Sequence, residues 1–425
     1  SFVRSGDPSP CSAVSLAETA ALRPADQSLR AYLRQNPAFT RFPVPVDAPI
    51  TRTDLPALRA PADYPSLVQL LAGLVGKDLT RVSFPCTINE PLSQVQRALE
   101  FVGKASWLAE AARCADSGER TLYCILPLFF NLMETYGRMR KPFNPLLGET
   151  FELQAGDVRA LSEQVSHHPP ITAYHVESPH FLMEATYQPV VRLSLTRGLD
   201  FDALCDARVL LKATGEEFRF EFPKAFPNNL FVGKMYVYFR GHYLARNIRT
   251  GDVARIEFLP EDLQQRFAVT GSVCNAQGET LLLLRGFFNR ELYARRPGGE
   301  ERLLARKSGE YSPKADWQYN FSRHTAGLNH LTPALLARLP RTDARLRPDL
   351  RAYEFGDLSL AEVEKQRLEE KQRRQARLLK KAGTPHRPMW FDPARESYPK
   401  FKFNGRYWQC RENGQWPQEM PHIYS

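Results

Sequence analysis

The chain has 425 residues, of which 43% are hydrophobic and 11% aromatic, so it can bury a substantial core in one large domain or two ordinary ones. Its 57 Lys and Arg against 47 Asp and Glu give a net charge of +10, which favours nucleic acid, an anionic membrane or a phosphate-bearing ligand as partner. Seven scattered cysteines without a CxxC pair argue against a zinc site and a disulfide framework, and no 18-residue apolar run predicts a transmembrane helix.

The N-terminal region divides into two predicted segments. Residues 1–49 are rich in proline and alanine and are predicted to form a mostly extended arm with one helix at 26–35. An apolar, amphipathic helix is predicted over about 63–79. We interpret it as a mobile lid, and an ordinary core helix is the alternative interpretation. Its apolar face, spaced as in a helix, comprises Leu67, Leu70, Leu71 and Leu74.

The middle of the chain changes from helical to strand-like spacing. Residues 91–139 are predicted to be helical, and their apolar stretch at 122–133 is too short to cross a membrane. From about 140 to 310, apolar or alternating runs such as EFRFEF, ARIEFL and ETLLLLRGFF are separated by the turn sequences ATGEE, RTGD, AQGE and RPGGEE. These runs predict an antiparallel meander, which tends to curl into a barrel, and a large barrel leaves a cavity.

The C-terminal part, 311–425, is predicted to contain a long charged helix over 359–383, followed by a mixed tail. Lys365, Glu369 and Arg373 are spaced by four residues and therefore form one stripe along a face of this helix. Two cations around one carboxylate leave the stripe positive. A solvated salt-bridge face is the alternative interpretation.

The stretch SEQVSHHPPI at 162–171 sets two adjacent histidines before two prolines. Pro169 keeps His168 out of helical geometry. Neighbouring residues on an extended backbone point apart, so one metal ion does not easily bind both His167 and His168. Near a bend, however, the two imidazoles can reach different oxygens of one large anion. Structural histidines are the alternative.

The stretch RKPFNPLLGE at 140–149 carries a second candidate anion site. Lys141 provides a point charge suited to phosphate, and Asn144 stands before a proline in a turn-prone pair. Gly148 permits a close backbone approach, at which exposed amides could meet an anion. A simple turn leading into a strand is the alternative.

The common catalytic motifs GxGxxG, GxSxG and HExxH do not occur. The stretch HVESPH offers His175 and His180, but strand alternation would place these two side chains on opposite faces. We therefore predict no catalytic residue, no cofactor and no metal site. Two rival hypotheses stay open. One is a metal-dependent hydrolase using His167, His168, His175 and His180, and the other is a nucleic-acid binder based on the net charge and the arginine-rich helix at 365–381.

Several of these segments, in the same order, resemble the lipid-transfer domain of the oxysterol-binding-protein family. EQVSHHPP matches the family fingerprint, KPFNPLLGE is similar to its KPxNPxLGE stretch, and TDARLRPD with EKQRLEEKQR resembles its C-terminal part. The resemblance covers about residues 50–425. It implies an α+β, β-dominated fold: a large near-closed antiparallel β-barrel enclosing a lipid tunnel, with flanking helices and an N-terminal amphipathic lid.

The resemblance also implies ligands and a site. In the family, corresponding residues hold the headgroup of phosphatidylinositol 4-phosphate at the tunnel mouth; here they are Lys141, Asn144, His167, His168, Lys365, Glu369 and Arg373. The expected partners are a sterol, this phosphoinositide and anionic membranes, without nucleic acid. The expected activity is exchange of the two lipids by a cytoplasmic, peripheral membrane protein that works at organelle contact sites. A phosphatidylserine/phosphoinositide exchanger is the alternative.

Histidine chemistry adds an expectation about pH. A doubly protonated imidazole donates hydrogen bonds from both ring nitrogens, and a bound phosphate raises its pKa. Headgroup affinity would then weaken as pH rises through that raised value.

Overall fold

The computed structural model describes residues 27–45, 52–59, 84–138, 140–194, 198–228, 236–259, 267–307, 315–394 and 398–425. The predicted lid over 63–79, with Leu67, Leu70, Leu71 and Leu74, lies outside the described residues. The six described cysteines are all free. Among the helices of the described chain, none combines the length and the apolar character needed to cross a membrane.

The described helices are α1 (Gln27–Gln35), α2 (Pro37–Arg41), α3 (Gln94–Arg97), α4 (Ser106–Arg113), α5 (Ser117–Thr135), α6 (Arg323–Gly327), α7 (Pro333–Leu336), α8 (Pro348–Glu354), α9 (Leu358–Ala382) and α10 (Arg406–Asn413). Helix α9 is the predicted charged helix. It begins after Asp357, whose carboxylate accepts the N–H of Leu360 at 3.0 Å, and it ends at Gly383, whose φ of 64° suits a residue without a Cβ.

The described strands are β1 (Asn89–Ser93), β2 (Lys141–Phe143), β3 (Thr150–Ala155), β4 (Val158–His167), β5 (Pro170–Glu177), β6 (Phe181–Ser194), β7 (Gly198–Leu211), β8 (Glu216–Glu221), β9 (Lys224–Asn228), β10 (Tyr236–Asn247), β11 (Val253–Phe258), β12 (Ala268–Cys274), β13 (Thr280–Phe287), β14 (Glu291–Arg295), β15 (Arg302–Arg306), β16 (Phe391–Pro393) and β17 (Phe401–Phe403). Strands β3–β15 form one large antiparallel sheet, β1 and β2 a parallel pair, and β16 and β17 a hairpin.

The meander predicted for 140–310 is confirmed. The four predicted turn sequences connect β7 to β8, β10 to β11, β12 to β13 and β14 to β15, each pair being antiparallel neighbours. Helix α5 packs on β10–β13, where Phe129 of the helix lies 6.4 Å from Phe258 between ring centroids. The predicted helical region at 91–139 starts slightly later, because residues 89–93 pair with β2 as a strand.

A near-closed barrel was expected. In the described chain, the large sheet has two separate edges, β3 and β15. The segment 342–345 occupies the edge of β3. The N–H of Thr150 donates to the carbonyl of Thr342 at 2.9 Å, and the Arg345 guanidinium donates to the carbonyl of Glu152 at 3.0 Å. A covered edge cannot pair with another strand. The β-dominated α+β class is confirmed, whereas closure is not shown.

The helix predicted at 26–35 is confirmed as α1, whereas residues 37–41, predicted as extended arm, form the second helix α2. Leu29 and Leu33, one turn apart on α1, are buried together with Phe39 of α2. Their cluster includes apolar residues of distant segments, namely Leu146, Leu346, Leu368 and Tyr424. Burial of this apolar face explains the helices, since each buried leucine contributes about 1.5–3 kcal/mol.

The C-terminal tail is attached to the large sheet through Glu163, inside the histidine-containing fingerprint. The buried Glu163 carboxylate accepts the backbone N–H groups of Met389 at 2.8 Å and Trp390 at 2.9 Å. Trp390 packs edge-to-face on Tyr407, with ring centroids 5.0 Å apart. Glu163, the acidic residue of the fingerprint, therefore has a structural role.

Candidate functional site

The structure places the seven predicted headgroup residues on three segments that are distant in sequence. They are Lys141 at the start of β2 with Asn144 just after that strand, His167 at the end of β4 with His168 in the following turn, and Lys365, Glu369 and Arg373 on α9.

Glu369 lies at the centre of the charged residues. Its carboxylate is 2.7 Å from the Lys365 ammonium and 3.0 Å from the Arg373 guanidinium, which confirms the predicted stripe along α9. Its charge also acts on Lys141 and on His167, so side chains from all three segments lie within electrostatic range of this carboxylate. Glu369 thus holds together cations that would otherwise repel one another.

Lys141 is the cation most strongly affected by its surroundings. Its ammonium donates a hydrogen bond to Asn144 Oδ1 at 2.9 Å. Burial, together with the nearby charge of Lys365, lowers the pKa of Lys141 to about 8, although Glu369 opposes the shift. An ammonium that loses its proton this readily lacks a full counter-charge, and an incoming phosphate would supply one.

The histidine pair lies in a bend, as the sequence predicted. The peptide bond between His168 and Pro169 is cis, and the two imidazole rings are 4.6 Å apart at an interplanar angle of 65°. Burial of the ring, and to a smaller extent the charge of the neighbouring His168, lowers the pKa of His167 to about 4. In the free protein His167 is therefore neutral at pH 7, and the expectation that a bound phosphate raises its pKa stays a prediction.

Gln372 on α9 connects all three segments and was missed by the sequence analysis. Its Oε1 accepts the backbone N–H of Leu147 at 2.8 Å, while its Nε2 lies 2.8 Å from His167 Nε2. Because it follows Glu369 by three residues, it lies near the same face of α9 as the predicted stripe. That spacing was the available signal.

A buried ion-pair network supports the loop that carries Asn144. Glu149 accepts hydrogen bonds from the N–H of Leu146 at 2.9 Å, from Arg347 Nη1 at 2.8 Å and from the Ser93 hydroxyl. Arg347 also donates to the carbonyl of Asn144 at 3.0 Å and pairs with Asp349 at 2.7 Å. The loop geometry is therefore set by a residue of the TDARLRPD segment.

Gly148 has a different role from the one expected. Its N–H donates to the carbonyl of Gln164 at 2.9 Å, so this amide is already occupied by the protein backbone. The residue adopts a φ of 79°, which is the conformation that favours glycine. Gly148 is needed for the turn into β3 and does not offer a free amide to an anion.

The histidines needed for the hydrolase alternative are not brought together. His175 lies between the carboxylates of Glu177 and Glu184, at 3.7 and 3.8 Å, and His180 contacts Arg113. Within the described ranges, no group of three or more His, Cys, Asp or Glu side chains could hold a metal ion. The structure gives no support to a metal-dependent hydrolase built on these residues.

Comparison with known proteins identifies the family. The family model described as "Oxysterol-binding protein" matches residues 66–412. The human oxysterol-binding protein-related protein 7 is 33% identical over 374 residues, covering 85% of this chain and 44% of the human protein. The Saccharomyces cerevisiae oxysterol-binding protein homolog 1 is 32% identical over 382 residues, covering 82% of this chain and 32% of the yeast protein. The chain thus spans less than half the length of these two relatives.

Solved structures show the same fold. The Osh1 ORD domain in complex with cholesterol superposes with a TM-score of 0.80 at 28% identity, covering 95% of this chain and 99% of that domain. The Osh3 ORD of Saccharomyces cerevisiae in complex with PI(4)P gives a TM-score of 0.75 at 28% identity, covering 88% of this chain and 100% of that domain. Sequence match and fold agree, and the chain belongs to the oxysterol-binding protein family.

Proposed function

We propose that this domain binds and transfers lipids, extracting a sterol and phosphatidylinositol 4-phosphate from membranes and exchanging one for the other. The observation that carries the proposal is the convergence of three distant segments around Glu369. The seven side chains supply three cations, two imidazoles, one amide and one carboxylate, and their net positive charge suits a phosphorylated headgroup. Related domains have been crystallised with cholesterol and with PI(4)P.

The apolar part of each lipid requires a dry interior. A sterol exposes several hundred Å² of apolar surface, and shielding it from water is worth on the order of 10 kcal/mol at about 25 cal/mol per Å². In our proposal, the large sheet curls into a near-closed barrel around the lipid. The segment 63–79 covers the opening, and its leucines contact the bilayer when it opens.

Exchange follows if both lipids occupy the same interior. Only one molecule is then carried at a time, and a gradient of the phosphoinositide drives transport of the sterol. The headgroup residues act on the phosphoinositide alone, so the two lipids depend on different parts of the site. Binding and release of lipid, without a chemical step, account for all seven residues.

Mass spectrometry of the lipids that copurify with the intact chain tests this proposal. We expect a sterol and phosphatidylinositol 4-phosphate, each displaced when vesicles containing the other are added. Phosphatidylserine in place of the sterol would assign the domain to the alternative exchanger. Absence of both expected lipids, with no uptake from vesicles, would refute the proposal.

The lowered pKa of Lys141 predicts how headgroup binding depends on pH. Below a pKa of about 8 the free lysine is already charged, whereas above it each binding event must also take up a proton. Affinity for a short-chain phosphatidylinositol 4-phosphate should therefore fall about tenfold from pH 7 to pH 9. The phosphate itself, with a second pKa near 6, hardly titrates in this range.

Isothermal titration calorimetry in buffers of different ionisation enthalpy measures both the affinity and the proton uptake. The matched control is Lys141→Arg, because a guanidinium stays charged at pH 9 and should remove most of the slope. An equally steep decline in the arginine variant would show that another group titrates.

A further inference from the structure

The orientation of the Gln372 amide is fixed from one side. The backbone N–H of Leu147 can only donate, so the atom that faces it at 2.8 Å must be the carbonyl oxygen Oε1. The NH2 group of Gln372 consequently faces His167, with its nitrogen 2.8 Å from His167 Nε2. A backbone group thus determines which end of this amide meets the imidazole.

The tautomer of His167 follows from this orientation. The Gln372 NH2 group has only protons to offer, so His167 Nε2 must accept and cannot carry a proton of its own. In a neutral ring the proton then resides on Nδ1. His167 Nδ1 is buried and has no hydrogen-bond partner among the described residues. Leaving a buried donor without a partner is unfavourable, and a phosphate oxygen would satisfy it.

We propose that Gln372 is a positioning residue that holds His167 in its Nδ1–H tautomer and thereby presents one neutral N–H donor to the phosphate of the bound headgroup. This inference rests on the proposed function, since the phosphate is the ligand assigned above. The inference adds the protonation state of the His167 ring to the proposed function: His167 recognises phosphate without first taking up a proton.

The surroundings of His167 agree with a neutral ring. The titratable groups that act on it are His168 in the same turn, whose charge disfavours protonation, and Glu369 on α9, whose charge favours it. Burial outweighs the effect of Glu369 and keeps the pKa of His167 low. A protonated ring would also set an N–H on Nε2 directly against the Gln372 NH2 group, donor against donor.

Two substitutions at residue 372 separate hydrogen-bond polarity from shape. In Gln372→Glu, a carboxylate can accept from both the Leu147 N–H and a protonated His167 Nε2, which reverses the second bond with almost no change in shape. In Gln372→Met, both hydrogen bonds are lost but the length of the side chain is kept. His167→Asn identifies the ring signals.

The first measurement is made without lipid, by long-range 1H–15N correlation spectroscopy on the full chain labelled at histidine. At pH 7 the wild type should show a protonated Nδ1 and an unprotonated Nε2 in His167. Gln372→Glu should shift the ring to the imidazolium or to the Nε2–H tautomer, and Gln372→Met should give a mixture. A wild-type ring with its proton on Nε2, or on both nitrogens, would overturn the inference whatever the binding data show.

The second measurement is the affinity for short-chain phosphatidylinositol 4-phosphate between pH 5.5 and 8, expressed as the ratio of variant to wild type. For Gln372→Glu the ratio of the dissociation constants, variant to wild type, should increase about 10- to 100-fold as pH rises from 5.5 to 8. The reason is that deprotonation of the His167 imidazolium in this variant leaves Nδ1 without its proton. For Gln372→Met the ratio should be raised but constant.

The outcomes distinguish this inference from the function on which it rests. A constant ratio for Gln372→Glu, combined with the expected spectra, would show that the tautomer has no effect on the headgroup and would overturn the inference. A wild-type protein with the expected spectra but no affinity for the phosphoinositide would refute the proposed function, and with it the assigned ligand. The expected spectra together with the pH-dependent ratio support both.

Discussion

Replacing His167 and His168 together by alanine is expected to abolish extraction of phosphatidylinositol 4-phosphate while leaving sterol binding intact. The two imidazoles lie side by side in one bend, within range of the charged stripe of α9. Each hydrogen bond to a charged phosphate contributes about 1.5–3 kcal/mol, so loss of both should weaken headgroup binding by about 10²- to 10⁴-fold. Extraction from vesicles containing either lipid measures both effects.

A matched control uses two histidines outside the site. His180 contacts Arg113 and His242 contacts Glu221, so the double variant His180→Ala/His242→Ala should extract both lipids normally. If the His167→Ala/His168→Ala protein keeps its melting temperature but loses sterol and phosphoinositide equally, a separate headgroup site does not exist. That result would contradict the central step of the proposed mechanism.

The largest effect on stability is expected for Arg347→Met. The Arg347 side chain is only 3% exposed, and the Glu149 and Asp349 side chains with which it pairs are fully buried. Removing the cation leaves two carboxylates buried without their partner, and breaking a buried pair in this way costs about 3–5 kcal/mol. Urea unfolding followed by circular dichroism should show this loss as a lower midpoint.

The comparison variant is Arg113→Met, which removes an exposed arginine paired with Glu110 at 3.0 Å. Exposed pairs of this kind are worth about 0–1 kcal/mol, so its midpoint should hardly move. Similar small changes in both variants would show that the buried network adapts to the loss of Arg347. In that case the loop carrying Asn144 would not depend on the network.

Local patterns predicted those parts of the fold that depend on neighbouring residues. The charged helix ends at Gly383, which gives a strong stop signal, and each glycine-containing turn joins two adjacent strands. The Pro- and Ala-rich composition of 1–49 hid the second helix, because the cluster that buries Phe39 is completed by distant segments. The covering of the β3 edge was equally out of reach, since segment 342–345 lies nearly two hundred residues away from that strand in sequence.

For the site, the sequence indicated which residues take part but not their protonation states or hydrogen bonds. Spacing along α9 predicted that Lys365 and Arg373 would flank Glu369, whereas only the family resemblance placed Lys141 and His167 with them. Spacing could not predict that burial lowers the pKa of His167, that Gln372 contacts its imidazole, or that the Gly148 amide already donates to the Gln164 carbonyl. These properties depend on which groups exclude water or donate hydrogen bonds in three dimensions, and no spacing rule contains that information.

Residues 27–41 and the C-terminal residue Tyr424 dock on the same cluster, which has a practical consequence. The family match begins at residue 66, yet Tyr32 donates to the carbonyl of Leu346 at 3.0 Å, and Tyr424 donates to the carbonyl of Thr342 at 3.0 Å. A recombinant protein trimmed to the matched region would lose both anchors and uncover Leu368 on α9. Truncation at either end would therefore disturb α9 and the proposed lipid site without deleting any residue assigned to the headgroup, so residues 27–41 and the C-terminal residues belong in any minimal functional unit.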